Sequence, residues 1–493
     1  MLLSEICEKS GMKMSVKNDI EITGITADSR QVKPGFLFAA LPGLSLDGLD
    51  FVDSAANEGA TAVLVPEGKQ LDSALNSNKA NNVQLISDAN PRKRFALIAA
   101  SFYDRQPEKI AAVTGTNGKS SVVEFTRQIW NILHFKAASI GTLGIRSDEI
   151  RKSTNLTTPD PVKLHLALSK LTAEGVSHLA LEASSHGLEQ YRLDGVQVDV
   201  GAFTNLTRDH LDYHHSMGAY FSAKKRLFGE ILSSDGIAVL NADVPHFEEL
   251  SKICKTRGIE VLSYGRSGNY IRLSKTQPNE DGNVINIAVS GNPYELPLPL
   301  VGEFQVSNAL CALGICLATG AETTRAVDSL RTIGGVSGRL ELVGQRLNGG
   351  RVYVDYAHTP DGLNSVLKTL KNHTTGRLAV VFGCGGDRDP GKRREMGRIA
   401  EELADSIYIT DDNPRHEDPS LIRANILEGA PNGVEIDDRA EAIRAAISAT
   451  EANDVLLIAG KGHESSQIIG DSRKSFSDVE TAHVALESER GNV

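Results

Sequence analysis

The stretch KIAAVTGTNGKSSVVEFTRQI, residues 109–129, is where the fold of this chain can first be read. KIAAVTG (109–115) is a short apolar run that ends in glycine, and Val122, Phe125, Ile129 and Leu133 then recur at helical spacing. A strand, a glycine loop and an amphipathic helix in that order place backbone N–H groups around an anion cradle. Lys119 would reach the β- and γ-phosphates of a nucleotide, and Ser120 could ligate Mg²⁺. The full loop pattern asks for a glycine six residues before the lysine, whereas position 113 is valine. The string alone therefore says little. The strand before it and the helix after it favour a phosphate loop over a chance turn with a solvated lysine.

Outward from this point the same alternation continues. Apolar strands recur at HLALEAS (178–184), VDVGAFTNL (198–206) and GIAVLNAD (236–243), with helical stretches between them. βαβ units of this kind predict a mainly parallel, doubly wound sheet. A second series begins near residue 336 with RVYVDYAH (351–358), LAVVFGCGG (378–386), SIYITDDNP (406–414) and DVLLIAGKGHE (454–464). Each of these strands ends in glycine and polar residues. In a parallel sheet such ends lie on one edge, where ligands bind. The segment before residue 96 has short strands and turn clusters, as in GITADSRQVKPGFLFAALPG. The prediction is an α/β chain of three domains, spanning 1–95, 96–335 and 336–493, which suits a length of 493 residues.

Composition narrows the classes. Hydrophobic residues make up 40% and charged residues 23%, ordinary values for a globular protein. A net charge of −11 argues against nucleic acid as a partner, since phosphate backbones need a basic surface. Cys7, Cys254, Cys311, Cys316 and Cys384 are scattered without a Cys-x-x-Cys pair, which suits a reducing compartment and offers no zinc site. No apolar run is long enough to span a bilayer, and the start MLLSEICEKSGMKM lacks a signal-peptide core. The expected protein is a cytoplasmic monomer that acts on small molecules without inserting in a membrane.

Glu182 and His210 stand at the ends of the next two candidate strands, in LEASSHGLEQYR and TNLTRDHLDYH. With Ser120 they could hold magnesium beside the phosphates. Singly, each has a blander reading: a strand-end glutamate is usually solvated, and a lone histidine is usually structural. Spacing does not choose among the histidines of the 210–215 cluster.

Taken together, TGTNGKSS, EASSHGLEQYR, TNLTRDHLDYH and YFSAKKRLF resemble the Mur ligases and their folylpolyglutamate synthetase relatives. The resemblance runs over nearly the whole chain, through DSRQVKPGFLF, VSGRLE, VDYAHTPDGL, GCGGDRDPGKR, DNPRHEDP and GKGHE in the family's order. It implies a small uridine-binding first domain, a central P-loop domain and a Rossmann-like third domain. It also implies a cytoplasmic, ATP-dependent ligase of peptidoglycan precursor synthesis. ATP would phosphorylate the carboxylate of UDP-N-acetylmuramoyl-L-alanyl-D-glutamate, and the amine of meso-diaminopimelate would displace phosphate from the acyl phosphate. The same ligation with L-lysine is the alternative; DNPR resembles the diaminopimelate-adding form.

The resemblance also assigns residues. Gly115, Thr116, Asn117, Gly118, Lys119, Ser120 and Ser121 would bind ATP. Lys119, Lys224, Glu182 and His210 would form the catalytic set. Magnesium would fall to Ser120, Glu182, His210 and Lys224, the last once carbamoylated. Neighbouring Lys225 and Arg226 leave a plain helix-surface reading of that segment open. Ser29, Arg30, Thr157, Thr158, Ser184, Gln190 and Arg192 would hold the UDP-muramoyl peptide, near the variable stretch Leu44, Ser45 and Leu46. A threonine before proline is also a good helix cap, so Thr157 and Thr158 have that second reading. Arg388, Asp412, Asn413, Pro414, Arg415, Gly460 and Glu464 would bind the amino acid. Their chemistry is coherent: guanidinium forks take a carboxylate and carboxylates take an ammonium. Arg339, Glu341, Asp355 and His358 would surround the ATP base and a hinge. Ser337 and Gln305 depart from the family's usual proline and asparagine.

Overall fold

The computed structural model describes residues 1–12, 19–43, 46–68, 83–154, 156–279 and 282–490. The chain packs into two compact units, each drawn from three segments. The first comprises Met1–Ala112, Phe135–Gly201 and Ala223–Gly236, and the second Val113–His134, Ala202–Ser222 and Ile237–Val493.

In the first unit, Gly24–Thr26, Phe36–Ala39, Ala62–Pro66 and Gln84–Asp88 form a four-stranded parallel sheet in that order. Successive side chains point to opposite faces, so both faces of these apolar strands need cover. Leu37, Ala39, Leu64 and Ile86 pack with Phe95, Ile98 and Ala99 of helix Pro91–Tyr103. Phe38, Val63 and Val65 pack with Val52 and Ala55 on the other side. The helix starts where Asn90 accepts from Lys93 N–H with Pro91 at its first position. A parallel pair, Ala137–Gly141 with His178–Glu182, continues into the antiparallel strands Gly144–Arg146 and Arg151–Lys152.

In the second unit, the end of strand Leu232–Asn241 pairs in parallel with Glu260–Gly265. Ile271–Asn279, Gly282–Val289 and Asn292–Leu298 then run as an antiparallel meander. The mainly parallel sheet expected here omitted that meander. Its middle strand, GNVINIAV, buries every second residue from Asn283 to Val289 and is joined to the next strand by Ser290 and Gly291, both with positive φ (47° and 86°). That two-residue turn matches the right-handed twist of a hairpin.

The same unit holds a six-stranded sheet ordered Glu341–Gln345, Arg351–Asp355, Val455–Ala459, Leu378–Phe382, Ser406–Ile409 and Val434–Glu435. Only its first strand is antiparallel. Helices Pro360–Asn372, Gly391–Leu403 and Pro419–Leu427 cover one face, and Arg439–Ala449 and Asp478–Arg490 the other. Asp355, Ala459, Phe382 and Ile409 therefore end their strands on one edge, as the sequence predicts. Among the described residues no helix is long and apolar enough to cross a membrane.

Candidate active site

The glycine loop is held by its neighbours rather than by itself. A side chain at Gly115 (φ 150°) would fall 1.9 Å from Thr204 Oγ1, and one at Gly118 (φ 87°) 2.3 Å from Asn308 Oδ1. Only glycine fits either position. Thr116 N–H donates to Asn205 O, and Asn117 N–H to Asn205 Oδ1, both at 2.9 Å. Thr204 Oγ1 donates to Asn117 O at 2.6 Å. Thr204 and Asn205 open the run TNLTRDH, yet sequence reasoning singled out only its histidine. Lys119 Nζ donates to the carbonyls of Gly115 (3.0 Å) and Thr116 (2.7 Å), so its ammonium lies against the loop. Ser120 Oγ accepts from Arg339 Nη2 at 2.9 Å, Ser121 is buried, and Asn117 Nδ2 donates to Asp361 at 3.1 Å.

The two departures fit this frame. Gln305 Oε1 accepts from Asn308 Nδ2 at 2.9 Å, and so braces the residue that abuts Gly118. Ser337 Oγ donates to Glu341, which also accepts from Gly338 N–H at 2.7 Å. Arg339 stacks 4.3 Å from the centroid of the Tyr356 ring. Burial lifts the Asp355 carboxyl to about 6, against the opposing charge of Arg339 and the N–H groups of Leu340 and Ala357.

His210 takes a left-handed backbone (φ 53°) at the start of the short helix Leu211–His214, and His215 (φ 61°) ends it. The carboxylate beside it is the better buried group. Burial would raise Asp209, but His210 (3.4 Å), His358 (3.8 Å) and Lys392 outweigh that and hold it at about 2. Asp209 was absent from the sequence-derived set although it adjoins His210. His214 is buried against the Tyr220 ring at 5.1 Å, which makes it a packing residue.

In the first unit Glu182 is buried, and its carboxylate accepts from Thr142 N–H (2.8 Å) and Thr142 Oγ1 (3.1 Å). Thr142 Oγ1 lies 3.1 Å from Thr157 Oγ1. Thr158 Oγ1 donates to Glu182 O at 2.7 Å and accepts from Ser184 N–H at 3.0 Å. The helix-cap reading of the two threonines is corrected by the structure: Asp160 caps helix Pro161–Ala173, accepting from Lys163 N–H at 3.0 Å. Arg192 donates to Thr158 O (2.7 Å) and Gln190 Oε1 (2.7 Å). Gln190 and Arg192 line a cavity of about 330 Å³ with Thr26, Asp28, Gln31 and Arg92. Ser29 and Arg30 form a 3₁₀ turn whose Asp28 cap holds the Arg30 guanidinium at 2.9 Å, and that guanidinium is otherwise exposed. Leu44 and Ser45 lie outside the described residues, and Leu46 is exposed.

Lys224 is buried, which speaks against a solvated helix surface there. Arg226 is likewise an anchor: it donates to Leu188 O and Asp194 (3.1 Å) and stacks 4.0 Å from the centroid of the Tyr191 ring. Among the described residues no cluster of three or more His, Cys, Asp or Glu side chains has metal-binding geometry.

The charged rim of the six-stranded sheet gathers the remaining candidates. Asn413 Nδ2 donates to Glu464 Oε2 at 3.0 Å. Gly460 (φ 115°) lies where a side chain would meet Asp412 Oδ2 at 2.8 Å. Arg415, left-handed at φ 53°, follows Pro414 and donates Nη1 to Gly386 O at 2.6 Å. Burial and the nearby Arg388 cation both lower its pKa, against Asp412 and Glu464. Arg388 itself approaches Asp212 at 3.9 Å. Lys461, fully buried at Asn413 and Glu464, was missed, although GKGHE prints it.

A glycine loop feeding a helix, and a rim of paired cations and carboxylates at the strand ends, are the features of an α/β nucleotide-using enzyme. The Mur ligase middle domain matches residues 113–316, the Mur ligase glutamate ligase domain 338–462, and the Mur ligase family catalytic domain 21–103. The chain is 47% identical to the UDP-N-acetylmuramoyl-L-alanyl-D-glutamate–2,6-diaminopimelate ligase of Caulobacter vibrioides, over 95% of this chain and 96% of that one. The Brucella melitensis protein of that name is 45% identical over 99% and 98%. A solved structure of a ligase so named superposes with a TM-score of 0.70 at 32% identity, covering 99% of this chain and 100% of its own. MurF from Acinetobacter baumannii shares the fold, with a TM-score of 0.65 at 19% identity over 93% and 95%. The chain belongs to the Mur ligase family.

Proposed function

We propose that the chain is the ATP-dependent ligase that joins meso-diaminopimelate to UDP-N-acetylmuramoyl-L-alanyl-D-glutamate, in cytoplasmic peptidoglycan precursor synthesis. The observation that carries this reading is the rim, where Arg388 and Arg415 flank Gly385 beside Asp412 and Glu464. The far end of meso-diaminopimelate carries a carboxylate and an ammonium, and this rim offers a partner for each. Residues 1–95 then serve the UDP end, 96–335 the ATP, and 336–493 the amino acid.

The reaction needs little acid–base work from the protein. The γ-phosphoryl group passes from ATP to the dipeptide carboxylate, giving ADP and an acyl phosphate. The amine attacks the acyl carbon, phosphate departs with the C–O bonding pair, and the amine's proton goes to solvent. Positioning and charge neutralisation supply most of the rate. Lys119 leaves the Gly115 and Thr116 carbonyls to meet the transferring phosphoryl group. Gln190, Arg192, Thr157, Thr158, Ser184, Ser29 and Arg30 serve the UDP-muramoyl peptide.

Magnesium is the proposed metal, and the donors fit it unevenly. The Glu182 carboxylate and Ser120 hydroxyl are hard oxygen donors, whereas the His210 imidazole is an unusual magnesium ligand. Carbamoylation would give Lys224 an oxygen donor of the same class. Bound there, the ion would neutralise phosphate charge.

The test is phosphate release from ATP and the UDP-muramoyl dipeptide, with diaminopimelate, with L-lysine and with neither. Release that requires diaminopimelate supports the reading. Preference for L-lysine replaces it with the alternative, and release indifferent to the amino acid removes it.

A further inference from the structure

The Lys461 side chain is wholly buried (0% exposed), yet it ends among polar groups of the charged rim. Its Nζ donates to Asn413 Oδ1 at 2.9 Å and to Glu464 Oε2 at 3.2 Å, and lies 3.6 Å from Asp412 Oδ1. An ammonium carries donors only, so each group that faces it must present an acceptor. That requirement decides which way the Asn413 amide points. Its oxygen faces inward, where it also accepts from Ile468 N–H at 3.0 Å, and its Nδ2 is left to donate to Glu464 Oε2 at 3.0 Å. Glu464 Oε2 is thus held twice. No described residue is seen to donate to Oε1 of the same carboxylate, whose side chain is 31% exposed.

We propose that Lys461 is a positioning residue for the incoming amino acid: it fixes Asn413 and one oxygen of Glu464 inward, and so presents Glu464 Oε1 to the substrate's ammonium. The backbone supports that role. Gly460 (φ 115°) and Gly462 (φ 53°) flank Lys461 in conformations that other residues rarely adopt, which sets the direction of its side chain. The buried cation also needs the Glu464 and Asp412 carboxylates beside it, since an unpaired buried charge is costly. Lys461 touches neither substrate nor reacting atoms in this reading, which rests on the ligase function proposed above.

The experiment compares the full-length protein with Lys461→Met and Lys461→Gln in the phosphate-release assay, after thermal melting has shown folding. Loss of one member of a buried pair predicts a KM for diaminopimelate raised about tenfold or more in Lys461→Met. The KM values for ATP and the UDP-muramoyl dipeptide stay unchanged, and kcat falls less than KM rises. Lys461→Gln keeps an N–H for Asn413 Oδ1 without the charge, and is expected between the two. Glu464→Gln, altered at a partly exposed position, provides the arm that folds regardless, and its KM for diaminopimelate rises as well. An unchanged KM for diaminopimelate in any folded variant overturns the proposal, as does a parallel rise for all three substrates. A wild-type protein that does not consume diaminopimelate defeats the ligase reading instead.

Discussion

Arg439 and Asp478 meet with both side chains wholly buried, Nε on Oδ1 and Nη2 on Oδ2, each at 2.8 Å. The same guanidinium donates to Ala459 O (2.8 Å) and Asp411 O (3.4 Å), the residues just before Gly460 and Asp412. Removing one partner strands the other charge in the interior, so Arg439→Met should cost about 3–5 kcal/mol of stability. Arg439→Met with Asp478→Leu should cost less than either single change. Chemical denaturation of the three variants checks this, and additive losses would show that the pair is not coupled.

Lys119→Ala should leave the fold intact and lower kcat by about 10²–10³, the usual effect of losing one group that stabilises transition-state charge. Its ammonium donates to two carbonyls of the loop itself, those of Gly115 and Thr116. Near-normal turnover in a folded variant would remove the phosphate-loop assignment.

Arg415→Ala should weaken diaminopimelate use by more than about tenfold and reduce selectivity over L-lysine, because the extra carboxylate loses its bidentate partner. The bond to Gly386 O adds a second effect, since the loop Gly383–Arg388 loses a tether. Kinetics with both amino acids separate the two: a uniform loss marks the tether, and a selective loss marks carboxylate recognition.

Intact mass of protein prepared in bicarbonate should show Lys224 heavier by one carbon dioxide, and Lys224→Ala should regain activity with a short carboxylic acid. An active enzyme with unmodified Lys224 would refute the modification.

His165 should make the protein acid-sensitive. Burial drives its pKa down from 6.5 to about 4, against a hydrogen bond that the imidazole donates to the backbone carbonyl of Asp194. A depressed base takes its proton in the unfolded chain first, so stability is complete above about 6.5 and is lost as pH falls toward 4. The loss amounts to about 3 kcal/mol for a shift of this size. Denaturation of the wild type and His165→Leu at several pH values tests it; identical slopes would show that the imidazole does not contribute.

Much of this was legible in the sequence because periodicity and strand ends are local. KIAAVTG reads as a strand because residues 110–113 form an unbroken apolar run leading to a glycine, and Val455–Ala459 in DVLLIAG do likewise. The meander from Ile271 to Leu298 was passed over, since a chain of βαβ units sets an expectation that alternation within one short segment does not displace. Residues that act by holding others were least visible. Asp209, Thr204, Asn205 and Lys461 sit inside or beside the motifs and Arg439 lies away from them, but the importance of all five lies in burial and in partners distant along the chain. Asp160 shows the converse: capping was foreseen two or three residues too early, on threonines that instead hold the Glu182 strand end.

Arg415 is pinned from both sides by the hairpin Ser466–Ile469 and Ser472–Ser475, donating its N–H to Ile468 O (3.1 Å) and accepting from Gly470 N–H (2.7 Å). These two bonds hold a non-glycine residue at φ 53°, a conformation costing of order 1 kcal/mol or more on its own. The DNPR loop is therefore not a portable cassette. Grafting a DNPR segment into another scaffold would deliver the guanidinium without the frame that aims it, and a working transplant would have to carry the hairpin as well.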